Sequence, residues 1–246
     1  TQPAGPHLAE ADGEGRDLVI GLGGAQAIDG ARIIRLNRAP GPMPQKPVPR
    51  MAVPTLPGCM GLGAVRAGAP PRDISGGAAA PVPCVLFCDP TLLQLVPRDR
   101  LAAAGMDGLV HCLEALVSTA WNPPADGMAF DGLRRAGQWL ERLVADPAGP
   151  EARCEVMAAA LNGALAAQKG LGAVHAMAHA FEALVPEAGR HGALHAAFIG
   201  PALAFNAPAV PDRIAQAADA LRLQPGGDLA GDLAAHLQQL GARLGL

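Results

Sequence analysis

An aspartate and several histidines stand at spacings that could build a site for a divalent metal ion. Asp107 and His111 are four residues apart in a segment whose apolar residues recur at helical spacing, so both side chains project from one side of one helix. A divalent cation accepts one carboxylate oxygen together with several imidazole nitrogens. Asp107, His111, His175 and His191 would make such a set and would leave a coordination position for a substrate oxygen.

Each part of this pattern also has an ordinary explanation. A solvated polar face accounts for an aspartate and a histidine four residues apart more often than a metal does. His175 and His179, at the same spacing, could equally be a half-buried packed pair. The metal site is favoured by the conjunction of two such helices with the His191-Gly192 pair that follows them.

The elements that must position these side chains are predicted to be helices. Apolar periodicity predicts helices over 100–118, 124–144, 151–169, 171–185, 192–205, 212–221 and 228–244. Asp99 is predicted to cap the first of them. The last carries a stripe of leucines that is typical of core packing and indicates no chemistry.

The front of the chain has a different pattern. Residues 17–24 predict a short buried strand that runs into a glycine turn, and residues 27–36 predict the helix after it. Such a unit can hold a dinucleotide pyrophosphate, although a Gly-Gly turn after a strand is more often ordinary turn chemistry. Residues 39–57 are rich in proline, which predicts a loop or extended connection and disfavours a helix and a central strand alike. Residues 83–89 predict another strand, and the domain boundary is expected near Val96.

The spaced blocks of the chain resemble the signature of a known family, the iron-containing (group III metal-dependent) alcohol dehydrogenases. That signature is similar to GMDAxxHxxEA, then GxxHxxAH, then HG before a run that ends in a proline and FN. This chain has Gly105-Met106-Asp107-Gly108-Leu109-Val110-His111-Cys112-Leu113-Glu114-Ala115, Gly172 to His179, His191-Gly192, and Pro201 to Phe205-Asn206. The blocks agree in order, and the resemblance extends from Asp17 to Asn206.

The resemblance implies a fold of the α/β plus all-α class with a dehydroquinate synthase-like architecture. Residues 1–96 would form a partial Rossmann-like dinucleotide-binding region, and residues 97–246 a helical metal-binding domain. The activity implied is that of a metal-dependent oxidoreductase, in which Fe(II) or Zn(II) acts as a Lewis acid on the oxygen of an alcohol or aldehyde. Hydride would pass between this substrate and NAD or NADP, and the resemblance favours iron as the metal.

Two turns correspond to the cofactor-binding turns of the family, which are similar to GGGSxxDxxK and PTTAGTGSE. The matching positions, and therefore the implied cofactor-binding residues, are Gly23, Gly24, Asp29, Thr55 and Gly58. Ala25 and Gln26 replace the third glycine and the serine of the first turn. These departures support an alternative, a metal-binding family member that has lost cofactor binding and hydride transfer. A metal-assisted lyase like the dehydroquinate synthases is disfavoured, because no basic substrate-binding pattern is visible.

Other polar residues have implied supporting roles. His179 resembles the family's additional active-site histidine and would relay a proton, or would support His175 as an alternative. Glu114 and Glu182 could hydrogen-bond the imidazoles of the ligands, and a plain surface carboxylate is an equal explanation for each. His195 stands where the family has an asparagine, and the sequence assigns it no role.

Composition narrows the class of partner. The formal charge of −3 and the absence of a long basic run argue against nucleic acid or an anionic membrane. No apolar run reaches the roughly 18–20 residues that a membrane span requires. The cysteines are odd in number and form no CxxC pair, which predicts reduced, buried thiols. A small-molecule substrate and a cytoplasmic location are expected, and the family's habit suggests a homodimer.

Family members carry roughly one more strand-helix-strand unit before the glycine turn and further helices after the last one here. The chain is therefore expected to be a shortened or an incompletely represented relative.

Overall fold

The structure is a computed structural model that describes residues 18–33, 49–58, 60, 62, 83–185, 191–224 and 226–246. The chain divides into two compact units. The first contains the chain up to Thr55 and then Cys59–Asp89, and the second contains Leu56–Gly58 and Pro90–Leu246. The boundary placed near Val96 by the sequence stays a prediction.

Within its described residues, the first unit contains a parallel sheet of three strands in the order β1-β2-β3, and one helix. The strands are β1 (Val19–Gly23), β2 (Arg50–Pro54) and β3 (Val85–Leu86), and the helix α1 spans Ala25–Ile33. The predicted strand and helix at the front are therefore present, although residue 17 and residues 34–36 lie outside the described part of the chain.

The prediction that residues 39–57 exclude a central strand is wrong for β2, which pairs with a strand on each side. The reason is local. The residues Arg50-Met51-Ala52-Val53 contain no proline, and Pro54 occupies the last position of the strand, opposite Gly23. A proline at the end of a strand leaves the ladder before it intact. The remainder of the proline-rich segment, residues 39–48, lies outside the described residues.

The regular elements described in the second unit are all helical. After a 3₁₀ segment at Pro90–Leu95 come α2 (Arg98–Val117), α3 (Pro123–Ala145), α4 (Pro150–Ala166), α5 (Ala173–Leu184), α6 (His191–Asn206), α7 (Pro211–Ala220) and α8 (Leu229–Arg243). Each predicted helix is confirmed to within a few residues at its ends. The predicted cap is wrong: Asp99 lies inside the first turn of α2, and its Oδ1 accepts a hydrogen bond from Arg100 N at 2.9 Å.

Helix α2 forms the centre of this unit. Its residues are buried on nearly every side, with Leu101, Met106 and Leu109 fully inaccessible, as expected of a helix surrounded by other helices. Lys169 stabilises its C-terminal end, because the buried Nζ donates to the carbonyl oxygens of Ala115 and Ser118 at 3.0 and 2.8 Å. The leucine stripe of α8 is buried as predicted, at Leu233, Leu237, Leu240 and Leu244.

Two expectations from composition can be compared with the described residues. None of the described helices combines the length and apolarity needed to cross a membrane.

The described cysteines Cys84, Cys88, Cys112 and Cys154 are free thiols. The prediction that the thiols are buried is correct for Cys112 and wrong for Cys84 and Cys154, which are exposed.

Candidate metal centre

The centre of the candidate site is the carboxylate of Asp107, which α2 carries into the helical unit at 3% exposure. Burial alone would raise the pKa of this group. The charge of His111 and the interaction with His175, followed by His195 and His191, outweigh burial and hold the pKa of Asp107 well below its usual range. Asp107 is therefore an ionised carboxylate surrounded by imidazoles.

The imidazoles approach Asp107 at distances that suit shared coordination. The Oδ1 atom lies 3.5 Å from His175 Nε2, 3.8 Å from His191 Nε2 and 3.5 Å from His195 Nδ1. These distances are too long for strong hydrogen bonds. Two ligands that each lie about 2.1 Å from one tetrahedral ion are about 3.4 Å from each other. The four atoms lie within 4.8 Å of one another, and all four residues are buried.

His175 is oriented by Glu114. The His175 Nδ1 atom lies 2.7 Å from Glu114 Oε2. Burial would raise the pKa of Glu114, but hydrogen bonds from His175 and from the start of α5 outweigh burial and lower the pKa. An ionised carboxylate only accepts, so Nδ1 carries the proton and Nε2 is directed at Asp107. Burial lowers the pKa of His175, but its contacts with Asp107 and Glu114 raise it to about 9.

Glu114 also determines where α5 begins. Its Oε1 accepts from Val174 N at 2.7 Å, and its Oε2 accepts from His175 N at 3.2 Å. These are N–H groups of the first turn, which have no partner within the helix. One buried carboxylate therefore both caps the helix and orients the imidazole, so the hydrogen-bonding role considered for Glu114 is confirmed.

His191, the first residue of α6, has a carboxylate partner of its own. Its Nδ1 lies 2.9 Å from Glu182 Oε1, which directs Nε2 toward Asp107, as at His175. The other oxygen of Glu182 lies 3.7 Å from His179 Nδ1. His179 is 44% exposed, and its ring centroid is 4.7 Å from that of His191. His179 therefore lies at the edge of the cluster with access to solvent, and its catalytic role stays a prediction.

His111 contacts the same carboxylate from within α2. Its Nδ1 lies 2.8 Å from the carbonyl oxygen of Asp107 and 3.4 Å from the Oδ1 atom. Because a carbonyl only accepts, Nδ1 is the donor, and the lone pair of the neutral ring is on Nε2. The ring centroid is 4.3 Å from that of His175. His111 is not in the buried group of four, and its assignment as a ligand stays a prediction, as do those of Asp107, His175 and His191.

His195 is a member of the buried group to which the sequence assigned no role. Its side chain has 0% exposure, and burial lowers the pKa of its imidazole well below the usual value. The ring is therefore neutral, the form in which a histidine binds metals. The signal that could have found it is its spacing, since His195 follows His191 by four residues on one helix, as His111 follows Asp107.

The donor set fits a divalent cation such as Fe(II) or Zn(II). A carboxylate and imidazole nitrogens are ligands that both ions accept. Within the described part of the chain, His175 Nε2 and both ring nitrogens of His195 are buried and make no hydrogen bond. Buried polar atoms in native proteins nearly always have a partner, and a metal ion between them would supply it.

Gly58 lies beside the Asp107 carboxylate of this centre. A Cβ atom at Gly58 would lie 2.7 Å from Asp107 Oδ2 and 2.9 Å from the carbonyl oxygen of Ala104, and the backbone φ is +87°. Only glycine fits both the conformation and the contact. The absence of a side chain at Gly58 therefore leaves room for the Asp107 carboxylate, and the predicted role of Gly58 in cofactor binding remains untested.

The other cofactor-binding candidates lie in the first unit. Thr55 N donates to Gly23 O at 3.0 Å, so these residues meet at the carboxyl ends of β1 and β2. Gly24 directly precedes α1, and its carbonyl accepts from Ala27 N and Ile28 N, each at 3.1 Å. Asp29 is buried and forms an ion pair with Arg32 at 2.9 Å. Their assignments as cofactor-binding residues stay predictions.

Comparisons with known proteins agree with the motifs. A model of the Fe-containing alcohol dehydrogenase family, C-terminal part, matches residues 101–246. The 4-hydroxybutyrate dehydrogenase of Cupriavidus necator is 34% identical over 94% of this chain and 67% of its own length. An alcohol dehydrogenase of Thermococcus barophilus is 27% identical over 77% of this chain and 54% of its own length.

Solved structures share the fold. A 1,3-propanediol oxidoreductase, 24% identical, superposes with a TM-score of 0.81 and covers 97% of this chain and 67% of its own. The iron-containing alcohol dehydrogenase of Thermococcus thioreducens, 28% identical, gives a TM-score of 0.75 and covers 98% and 66%. The α/β plus all-α fold class is therefore confirmed. The chain spans between 54% and 67% of the length of these four proteins.

Proposed function

The chain belongs to the Fe-containing alcohol dehydrogenase family, and from this premise we propose that it is a metal-dependent oxidoreductase. It transfers hydride between an alcohol or aldehyde and NAD or NADP. One observation carries the proposal most directly: Asp107, His175 and His191 come from three separate helices and direct ligand atoms at one point. Asp107, His111, His175 and His191 are the residues that would hold Fe(II) or Zn(II).

A metal ion held by these residues would supply a Lewis acid for a substrate oxygen. The chain's own residues fix the geometry around that position. Glu114 and Glu182 hold the Nδ1 protons of His175 and His191, which keeps both Nε2 atoms directed at Asp107. The helix that carries Asp107 is buried on nearly all sides, so the carboxylate has little freedom to move away.

His179 is suited to move a proton. Its ring is partly exposed to solvent and lies beside Glu182, whose other oxygen holds His191. An imidazole can accept the substrate hydroxyl proton and release it to water. We infer that His179 carries out this transfer, which is the role implied by the resemblance.

The cofactor is proposed to bind at the carboxyl ends of β1 and β2. Ligands of open parallel sheets bind at that edge, and Gly23, Gly24 and Thr55 all lie there. The N-terminus of α1 follows directly, and a helix N-terminus stabilises a pyrophosphate. Asp29 and Gly58 complete the proposed set by resemblance alone.

The name of the Cupriavidus necator relative suggests the first substrate to test. We propose that the substrate is a small alcohol of this kind or the corresponding aldehyde. A cytoplasmic homodimer remains part of the proposal, and sedimentation equilibrium would test the dimer.

The experiment is an assay of the full chain loaded anaerobically with Fe(II) or with Zn(II). Consumption of NADH and NADPH is followed with 4-oxobutanoate and with propanal, and the reverse reaction with 4-hydroxybutyrate. Metal-dependent turnover that disappears in Asp107→Asn supports the proposal. Absence of turnover with both metals and both cofactors would contradict it.

A second function is favoured by the residues in and after the first glycine turn, which differ from those of the family or are already paired. The carboxylate of Asp29 is buried against Arg32. Ala25 adds a methyl group where the family has glycine, and Gln26 places a longer amide where the family has serine. These features support a metal-binding protein without hydride transfer. Titration of the metal-loaded chain with NADH and NADPH, followed by nicotinamide fluorescence, separates the two functions. No binding at millimolar cofactor would favour this second function.

A further inference from the structure

His195 occupies the most enclosed position among the histidines near Asp107. Its side chain has no exposure, and its ring centroid lies 4.3 Å from that of His175 and 4.2 Å from that of His191. Its Nδ1 lies 3.5 Å from Asp107 Oδ1, the same distance as His175 Nε2. His195 therefore belongs to the cluster by position as well as by residue type.

The ring nitrogens of His195 distinguish it from the other imidazoles. At His175 and His191, Nδ1 has a carboxylate partner, but neither nitrogen of His195 makes a hydrogen bond with any described residue. Burial of a polar ring without hydrogen bonds costs free energy, so a packing role alone does not explain a histidine at this position. A leucine of similar volume would fill the same space without that cost.

We propose that His195 is a ligand of the same divalent ion, bound through Nδ1 together with Asp107, His175 and His191. The inference rests on the proposed function for the presence of the ion. His195 would add a metal ligand that the family signature does not contain, since the signature has an asparagine at this position. His195 reaches the ion because α6 presents it one turn after His191, on the same face.

The test uses the full chain loaded with Co(II), whose visible spectrum reports the number and type of its ligands. The variants are His195→Asn, which restores the family residue, and His195→Leu, which removes the donor. His236→Asn on α8 is the matched control, because His236 lies near Glu141 and Arg243, outside the cluster. Affinity for Co(II) is measured by competition with a chelator, and circular dichroism checks that each variant is folded.

We expect His195→Leu to weaken Co(II) binding by about 100-fold or more. Loss of a residue that only hydrogen-bonds to a metal ligand already lowers metal affinity by about 10–100-fold. Both His195 variants should change the visible spectrum, and His236→Asn should match the wild type. Affinities within about twofold of the wild type and an unchanged spectrum would overturn the proposal and leave the proposed function standing. A wild-type chain that binds no Co(II), Zn(II) or Fe(II) would overturn both.

If neither His195 variant folds, crystals of the Zn(II)-loaded wild type decide the question. An anomalous peak about 2.0–2.1 Å from His195 Nδ1 supports coordination. A peak beside Asp107 and His175 that lies more than about 3 Å from both ring nitrogens of His195 overturns it.

Discussion

The Nδ1 atom of His175 lies 2.7 Å from Oε2 of Glu114, a carboxylate that is 2% exposed. The same carboxylate accepts the N–H groups of Val174 and His175. The start of α5 and the orientation of the imidazole are therefore set by one side chain from α2, so folding of the helical unit and preparation of the metal centre are coupled.

Glu114→Gln is expected to lower metal affinity by about 10–100-fold, because the neutral amide holds the His175 Nδ1 proton less strongly. Competition with a chelator measures this loss. Glu151→Gln, an exposed glutamate in the first turn of α4, is the control and should leave the affinity unchanged. An affinity for Glu114→Gln within about twofold of the wild type would show that the carboxylate does not tune the ligand.

Gly192→Ala is expected to destabilise the fold by about 2–3 kcal/mol, because a Cβ at this position would lie 1.9 Å from Ala103 O on α2. The displaced start of α6 should also weaken metal binding, since His191 is the neighbouring residue. Urea unfolding measures the stability. The control is Gly127→Ala on the exposed side of α3, where nothing lies within 4 Å and about 0.5–1 kcal/mol of stabilisation is expected. Equal stabilities for the two variants would refute the close contact.

Lys169→Met is expected to lower the free energy of unfolding by about 3–5 kcal/mol. Its Nζ is fully buried and donates to Asp126 Oδ1 at 2.5 Å as well as to two carbonyl oxygens at the end of α2. The matched control is Arg243→Met, which removes an ion pair with Glu141 whose side chains are 46% and 44% exposed. That change should cost less than about 1 kcal/mol. Urea unfolding measures the free energy lost in each variant. Equal losses in Lys169→Met and Arg243→Met would contradict the burial of Lys169.

Stability should depend on pH through Asp126. Burial alone would raise the pKa of this carboxyl, but hydrogen bonds from Lys169 and Arg213 outweigh it and lower the pKa below the ordinary value. A lowered folded-state pKa gives stability that is present above the unfolded value of about 3.9 and is lost as the pH falls through the folded value.

Asp126→Asn should therefore be less stable than the wild type by a constant amount above about pH 5, and the difference should shrink below about pH 4. Thermal or urea unfolding at several pH values measures this difference. Asp219→Asn, at an exposed position of α7, should show no such change. A difference for Asp126→Asn that is independent of pH would contradict the assignment.

The helices could be predicted from the sequence because their apolar residues recur with a helical period, as in the leucines of α8. Strand β2 could not, because the prolines around it outweighed the five residues that pair. What made β2 a strand was its two parallel neighbours, Val19–Gly23 and Val85–Leu86, which are distant in sequence. Tertiary pairing of this kind leaves no local signal.

The site shows the same division. The spacing of Asp107 and His111, together with the later histidines, indicated metal chemistry. The carboxylates at 114 and 182 were considered as partners of the imidazoles. Which imidazole each carboxylate holds depends on how α5 and α6 pack, since Glu182 of α5 hydrogen-bonds to His191 at the start of α6. The enclosure of His195 likewise follows from the packing of α6, which a single sequence does not reveal.

Calorimetric titration of the metal-free full chain with Zn(II) tests whether Asp107 and the imidazoles around it bind one divalent ion. We expect one saturable site per chain in the wild type and the loss of that site in both Asp107→Asn and His175→Asn. No saturable binding by the wild type, or binding that both variants retain unchanged, would contradict this expectation.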